Sequence, residues 1–220
     1  MSVADINVAS DVSDCQHYDP GVARWEPGAR GRLEQAAFAL YAERGFEQTT
    51  VAEIAARAGL TERTFFRHFA DKREVLFASA GALEEALVTA VRSAPASLPA
   101  IDAVAAGLEA IAAELPDRDL ARQRQAIITA NAELQERELI KLASLATVLA
   151  DALRRRGTGD PAASLTAEIA IAVFRIAFER WVEDTGQRDL AELIHESLDE
   201  LRAVTAGKPR ATAASARDRR

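Results

Sequence analysis

The 220-residue sequence is poor in the residues that carry metal and thiol chemistry. It has one cysteine and three histidines, and His17, His68 and His195 are too scattered to suggest a metal site. Cys15 has no second cysteine with which to form an intramolecular disulfide. The C-terminal half also lacks zinc-protease, nucleotide-binding and nucleophile-elbow motifs. The sequence therefore predicts no catalytic residues, no metal, no cofactor and no enzyme.

Long apolar runs and a secretory leader are also missing. A charge interrupts every apolar run before it reaches the roughly 20 residues that a membrane helix needs. The N-terminus has no basic stretch followed by an apolar one, so it does not match a secretory signal. We therefore expect a cytoplasmic protein with no membrane partner. The polar segment 1–27 and the basic segment 207–220 are predicted to be disordered.

Helical spacing of apolar residues runs through the rest of the chain. Hydrophobic residues make up 49% and aromatic residues only 5%, which favours helices packed through small side chains. The spacing predicts an all-α fold of about nine helices. Their approximate bounds are 30–43, 51–58, 62–69, 72–92, 99–114, 117–131, 133–156, 161–184 and 188–206.

The net charge of −7 is distributed unevenly along the chain. Residues 24–73 carry a net +2, whereas residues 74–206 carry −9. A surface that binds a polyanion such as DNA must therefore lie in the first of these segments, where arginines could meet phosphates.

The stretch 46–76 has the spacing of a helix-turn-helix. Two short helices are separated by a turn that Gly59 opens, and Phe65 and Phe69 give the second helix an inward face. Thr50 and Thr61 are predicted N-caps of these two helices. The backbone amide hydrogens at the N-terminus of a helix point outward, where they can bind phosphates. The outer face of the second helix can read base edges, since arginine binds guanine and threonine contacts thymine. Its candidate contacts are Arg63, Thr64, Phe66, Arg67 and His68.

The run from Arg30 to Phe77, with the block GLTERTFFRHFADKREVL at its centre, resembles the TetR family of regulators. The resemblance implies phosphate contacts at Thr50 and Lys72. It also implies base or backbone contacts at Arg63, Thr64 and Phe66, with Arg67 and His68 beside them. The family usually has tyrosine where this chain has Phe66, so we expect Phe66 to contact a thymine methyl or a sugar. Solvation of Arg63 and packing of His68 stay open as alternatives. The chain accordingly divides into a DNA-binding domain at 28–76 and a ligand-binding and dimerisation domain at 77–206.

Two C-terminal segments are candidates for a dimer interface. Residues 169–178 are apolar nearly all round, and the last helix carries an apolar stripe from Leu190 to Val204. The family resemblance implies that these two helices pair with those of a second copy, giving a homodimer. Burial of the last helix in the core of one protomer is the alternative.

Four side chains are candidate ligand contacts. Arg175 interrupts an apolar run, so it either pairs with Glu179 one turn later or faces a pocket and receives an anion. Arg124 and Thr129 lie on a middle helix, for which a solvated face is the alternative.

Residues 131–203 resemble the C-terminal domain of a TetR subgroup that includes the mycofactocin-system regulators and is associated with acyl-CoA-like ligands. The sequence therefore predicts a repressor that a small hydrophobic or acyl-CoA-like effector releases from a palindromic DNA operator. A ligand-independent regulator or activator is the first alternative. A helical carrier or enzyme is the second.

Overall fold

The computed structural model describes residues 28–115, 117–186 and 188–207, and within these ranges it contains helices and turns but no strand. The all-α prediction is confirmed. The helices are α1 (Ala29–Arg44), α2 (Val51–Arg57), α3 (Glu62–His68), α4 (Ala80–Ser93), α5 (Ala100–Ala113), α6 (Arg118–Thr129), α7 (Ala132–Arg155), α8 (Ala162–Glu183) and α9 (Leu190–Thr205). The predictions for residues 1–27 and 208–220 lie outside the described residues.

The N-terminal unit is built from α1, α2 and α3 around a shared apolar core. Leu33, Ile54 and Phe65, one from each helix, are fully buried. Ile128 of α6 and Leu134 of α7 are buried in the same cluster. The small N-terminal unit therefore packs directly onto two helices of the larger C-terminal unit.

The C-terminal unit is held together by close helix packing through small residues. Gly107 of α5 shows how close, since a Cβ there would lie 2.7 Å from Leu87 Cδ1 and 2.8 Å from Val91 Cγ2 of α4. On α8, alanines recur on the buried face at helical spacing. Across the described ranges, no helix is both long and apolar enough to cross a membrane.

The connection between the two units differs from the prediction. The sequence predicted one helix over 72–92, which is wrong: a separate 3₁₀ turn, Glu74–Phe77, precedes α4. The Asp71 carboxylate accepts hydrogen bonds from the backbone N–H groups of Arg73 (2.8 Å) and Glu74 (3.1 Å). This cap starts a short tight turn, which we call the linker turn. Its residues Val75, Leu76 and Phe77 are buried, which fixes the turn between the two units.

Candidate nucleic-acid interface and ligand cavity

The turn between α2 and α3 has the geometry that a helix-turn-helix needs. Gly59 adopts a φ of +64°, a left-handed conformation that glycine takes without strain. Thr50 caps α2 by accepting a hydrogen bond from the Glu53 N–H, and the Glu53 carboxylate accepts one from the Thr50 N–H at 2.9 Å. The Thr50 N–H and the Thr50 hydroxyl both donate to the Glu53 carboxylate, and these two hydrogen bonds lower the pKa of Glu53. Thr61 caps α3 by accepting from the Thr64 N–H at 3.2 Å.

The outer face of α3 is exposed and carries two arginines. Phe65 is fully buried, whereas the adjacent Phe66 is 55% exposed and meets the Phe65 ring edge-on. Arg63 and Arg67 are exposed, and neither forms an ion pair with any residue that the structure describes. Because they lie four residues apart, both guanidinium groups project from one side of the helix. This face of α3 therefore presents two cations and one apolar ring that a nucleic acid could contact.

Two other predicted contacts on α3 are less accessible. The Thr64 side chain is half-buried, and its hydroxyl lies 3.1 Å from the hydroxyl of Thr61. His68 is also half-buried, and its Nε2 atom has no hydrogen-bond partner within the described ranges. The structure thus places His68 against the protein rather than on the exposed face beside Arg67.

Lys72 is engaged within the protein. Its ammonium donates to the carbonyls of Phe46 (2.8 Å), Glu47 (3.3 Å) and Thr49 (2.9 Å), and it lies 4.4 Å from the Phe46 ring centroid. Tyr41 adds a hydrogen bond of 2.7 Å from its hydroxyl to the Lys72 carbonyl. Lys72 therefore connects the loop before α2 to the segment after α3. A phosphate would have to compete with these carbonyls for hydrogen bonds from the Lys72 ammonium.

A partly open cavity of about 540 Å³ lies next to the linker turn, between α1 and the C-terminal unit. Its wall is mainly apolar and is contributed by α1, the linker turn and helices α4 to α8. The principal apolar side chains are Phe38, Leu76, Phe77, Leu83, Ile111, Leu115, Leu120, Leu142, Leu145, Phe174 and Phe178. The cavity can hold a predominantly apolar small molecule.

The structure brings three of the four predicted ligand contacts to this cavity. Arg124, Arg175 and Glu179 line it, whereas Thr129 lies in an open surface groove between α6 and the end of α8. The predicted Arg175–Glu179 ion pair is wrong, since the ion pairs of the described residues do not include it. Arg175 is exposed on α8 rather than buried among apolar residues, so burial does not require it to have a partner.

Arg124 occupies the wall of the cavity. Its Nε donates to the Leu76 carbonyl at 2.7 Å, and its Nη1 donates to the Glu138 carboxylate at 2.9 Å. Its guanidinium carbon lies 5.1 Å from the Phe77 ring centroid. Burial lowers the pKa of Arg124, and the charge of Glu138 opposes that shift. The alternative of a solvated Arg124 is therefore wrong.

Sequence reasoning missed the residues that hold the linker turn. Glu74 accepts hydrogen bonds from Arg137 Nε (2.8 Å) and Lys141 Nζ (3.0 Å) of α7. Glu138, which also lies on α7, pairs with Arg124 of α6. Charged positions on an amphipathic helix are ordinarily solvated, so the sequence held no signal for these contacts.

The apolar stripe of α9 lies inside the protomer. Four of its side chains are buried there: Leu190, Leu193, Ile194 and Leu198. The prediction that this stripe faces a second copy is wrong for these four, and the alternative of a core helix describes them. The exposed large apolar side chains of this region are instead Leu165 (59%) and Ile176 (49%) of α8 and Val204 (58%) of α9.

Family models match both units of the chain. The model described as "Bacterial regulatory proteins, tetR family" matches residues 34–79, and the "MftR C-terminal domain" model matches residues 98–206. A similar protein is the HTH-type transcriptional regulator TcmR of Streptomyces glaucescens, 29% identical over 186 residues that span 79% of this chain and 82% of TcmR. The HTH-type transcriptional repressor KstR2 of Mycobacterium tuberculosis is 45% identical over 47 residues, which are 21% of this chain and 24% of KstR2.

Solved structures share the fold. FadR of Thermus thermophilus, a TetR-family repressor in complex with lauroyl-CoA, has a TM-score of 0.53 and 24% identity over 84% of this chain and 98% of its own. FadR of Bacillus subtilis, in complex with stearoyl-CoA, has a TM-score of 0.56 and 21% identity over 78% of this chain and 96% of its own. These likenesses concern the fold, and the two family models with the similarity to TcmR show that the chain belongs to the TetR family of DNA-binding transcriptional regulators rather than to a family of enzymes.

Proposed function

We propose that the chain is a cytoplasmic, homodimeric repressor that an apolar small molecule releases from a two-fold DNA operator. The observation that carries the proposal is the position of the cavity, whose wall includes Leu76 and Phe77 of the linker turn. A ligand in this cavity would press on the segment that joins α3 to the C-terminal unit. A ligand-independent regulator, the first alternative, would need no such space.

DNA recognition is proposed to centre on the exposed face of α3. Arg63 and Arg67 would bind base edges or phosphates, and Phe66 would contact a thymine methyl or a sugar. Thr50 and Thr61 would present the N-terminal ends of α2 and α3 to phosphates. Thr64, His68 and Lys72 keep their proposed DNA contacts, although each is also engaged with or packed against the protein.

Two copies would place two α3 helices on successive half-sites of one operator. The proposed contact between the copies involves the exposed apolar residues Leu165 and Ile176 of α8 and Val204 of α9. Exposed large apolar groups at helical spacing favour burial against a second copy.

The charges around the cavity bear on the chemistry of the effector. Six carboxylates line it: Glu34, Glu84, Glu114, Asp117, Glu138 and Glu179. Three cations do so: Arg124, Lys141 and Arg175. This balance favours an uncharged or cationic ligand over one carrying several phosphates. An acyl-CoA-like effector is the second candidate, supported by the MftR C-terminal match, with its acyl chain inside the cavity and its phosphates outside it.

The proposal is tested by fluorescence anisotropy with the DNA upstream of the chain's own gene and a scrambled duplex. We expect tight, salt-sensitive binding to the upstream DNA only. Lauric acid, 1-dodecanol and lauroyl-CoA are then titrated into the complex. Release by laurate or dodecanol at lower concentration than lauroyl-CoA supports the apolar effector, whereas stronger release by lauroyl-CoA supports the second candidate. Equal, weak binding to both duplexes would contradict recognition of this operator.

A further inference from the structure

Arg124 is the residue at which the cavity, the linker turn and α7 meet. It lines the cavity, holds the carbonyl of Leu76 and pairs with Glu138. Leu76 is only 2% exposed, so its carbonyl has little access to water and depends on a protein donor. Loss of the guanidinium would leave that buried carbonyl without the hydrogen bond that Arg124 supplies.

The other side-chain hydrogen bonds that hold the linker turn are made at its ends. Arg137 and Lys141 hold the Glu74 carboxylate at the start, and Arg30 donates to the carbonyl of Ala78 just beyond the end. The Arg124 contact reaches the middle of the turn, and it comes from α6. It therefore sets the position of the turn relative to α6 and the cavity.

We propose that Arg124 is the positioning residue through which ligand binding in the cavity changes the position of α3. With the cavity empty, its guanidinium fixes the Leu76 carbonyl and keeps α3 in the arrangement that binds DNA. A ligand whose oxygen acceptor reaches Arg124 competes with that carbonyl and frees the turn. The inference rests on the proposed function and names the contact by which that site is regulated.

The assignment to Arg124 follows from comparison with the other cations of the cavity. Arg175 is exposed and lies on α8, which contributes no residue to the linker turn. Lys141 bonds a carboxylate side chain of the turn and no backbone atom of it. Arg124 alone among these three cavity cations binds the backbone of the turn, whereas both Arg124 and Lys141 lie over the ring of Phe77.

The experiment combines amide hydrogen exchange with operator binding in full-length variants. Arg124→Gln removes the donor to Leu76, and the double variant R124Q/E138Q does so without leaving Glu138 unpaired. Glu138→Gln keeps the donor. Arg122→Gln is the matched control on the same helix, since Arg122 donates to the Val182 carbonyl at 2.8 Å and makes no contact with the linker turn.

A hydrogen bond to a charged group is worth enough to change a local equilibrium by about 10-fold or more. We expect R124Q and R124Q/E138Q to raise exchange of residues 74–80 by about that factor, with α8 and α9 unchanged, and to weaken operator binding by a similar factor. Glu138→Gln and Arg122→Gln should leave both near wild type. Arg124→Lys, which retains a cationic donor, should restore part of the protection.

Three results would overturn the inference. These are unchanged exchange at 74–80 in both Arg124 variants, an equal increase throughout α8 and α9, and increased exchange at 74–80 with unchanged operator affinity. If the wild-type chain does not bind its operator, the proposed function fails. The exchange of residues 74–80 then still decides whether Arg124 holds the turn.

Discussion

The double substitution Arg63→Ala with Arg67→Ala tests the assignment of the reading face. Both side chains are exposed and form no ion pair among the described residues, so their removal breaks no contact that stabilises the fold. Loss of a base contact costs about 1–3 kcal/mol. If each arginine makes one such contact and the two contacts act independently, the pair costs about 2–6 kcal/mol. At about 1.4 kcal/mol per tenfold, operator affinity should fall by about 30-fold or more.

The assay is fluorescence anisotropy at fixed salt, with thermal unfolding measured in parallel. The matched control is Arg92→Ala with Arg155→Ala, which removes two exposed cations from the far ends of α4 and α7, neither of which pairs with a carboxylate of the described residues. We expect the control to retain operator affinity within a few-fold and both variants to retain the wild-type Tm. Unchanged operator affinity in the α3 variant would show that the reading face lies elsewhere. An equal loss of operator affinity in the control would show that the effect comes from the change in net charge and not from contacts of α3.

Three further predictions concern stability. Gly107→Ala should destabilise the C-terminal unit by about 1–2 kcal/mol in thermal unfolding, because the new Cβ would lie 2.7 Å from Leu87 Cδ1, and an unchanged Tm would contradict that tight contact. Tyr41→Phe should cost about 0.5–1.5 kcal/mol, measured by urea denaturation, since it removes the hydrogen bond to the Lys72 carbonyl. Burial raises the pKa of the Glu74 carboxyl, but hydrogen bonds from two α7 cations outweigh this and hold that pKa below its usual 4.5. Its stabilising contribution is therefore present above pH 4.5 and lost as the pH falls through the lowered pKa, so Glu74→Gln should lose less stability on acidification than wild type. Identical acid profiles would contradict it.

Helix content followed from the sequence because periodicity and capping act locally. The Thr50 and Thr61 caps lie where the sequence placed them, and Gly59 supplies the left-handed turn. The helix predicted over 72–92 failed for a local reason as well. The Asp71 carboxylate accepts hydrogen bonds from the N–H groups of Arg73 and Glu74, which starts the linker turn in place of a continuous α-helix. The spacing of apolar residues carries no information about such a hydrogen bond.

The candidate ligand site was only partly predictable because its chemistry depends on contacts between distant segments. Arg124 was a candidate contact, but its hydrogen bond to Leu76 joins residues 48 positions apart. The expected pairing of Arg175 assumed burial, and α8 instead exposes that side chain. Likewise the apolar stripe of α9 could have faced a second copy or the core of its own protomer. Only tertiary packing decides between such alternatives.

Repression itself is tested most directly by transcription in vitro from the DNA upstream of the chain's own gene. With purified RNA polymerase, we predict that the wild-type chain lowers transcript from this template and leaves a scrambled-operator template unaffected. The R63A/R67A variant should leave both templates unaffected. Transcript that stays constant or rises with wild-type chain bound to the upstream DNA would contradict a repressor.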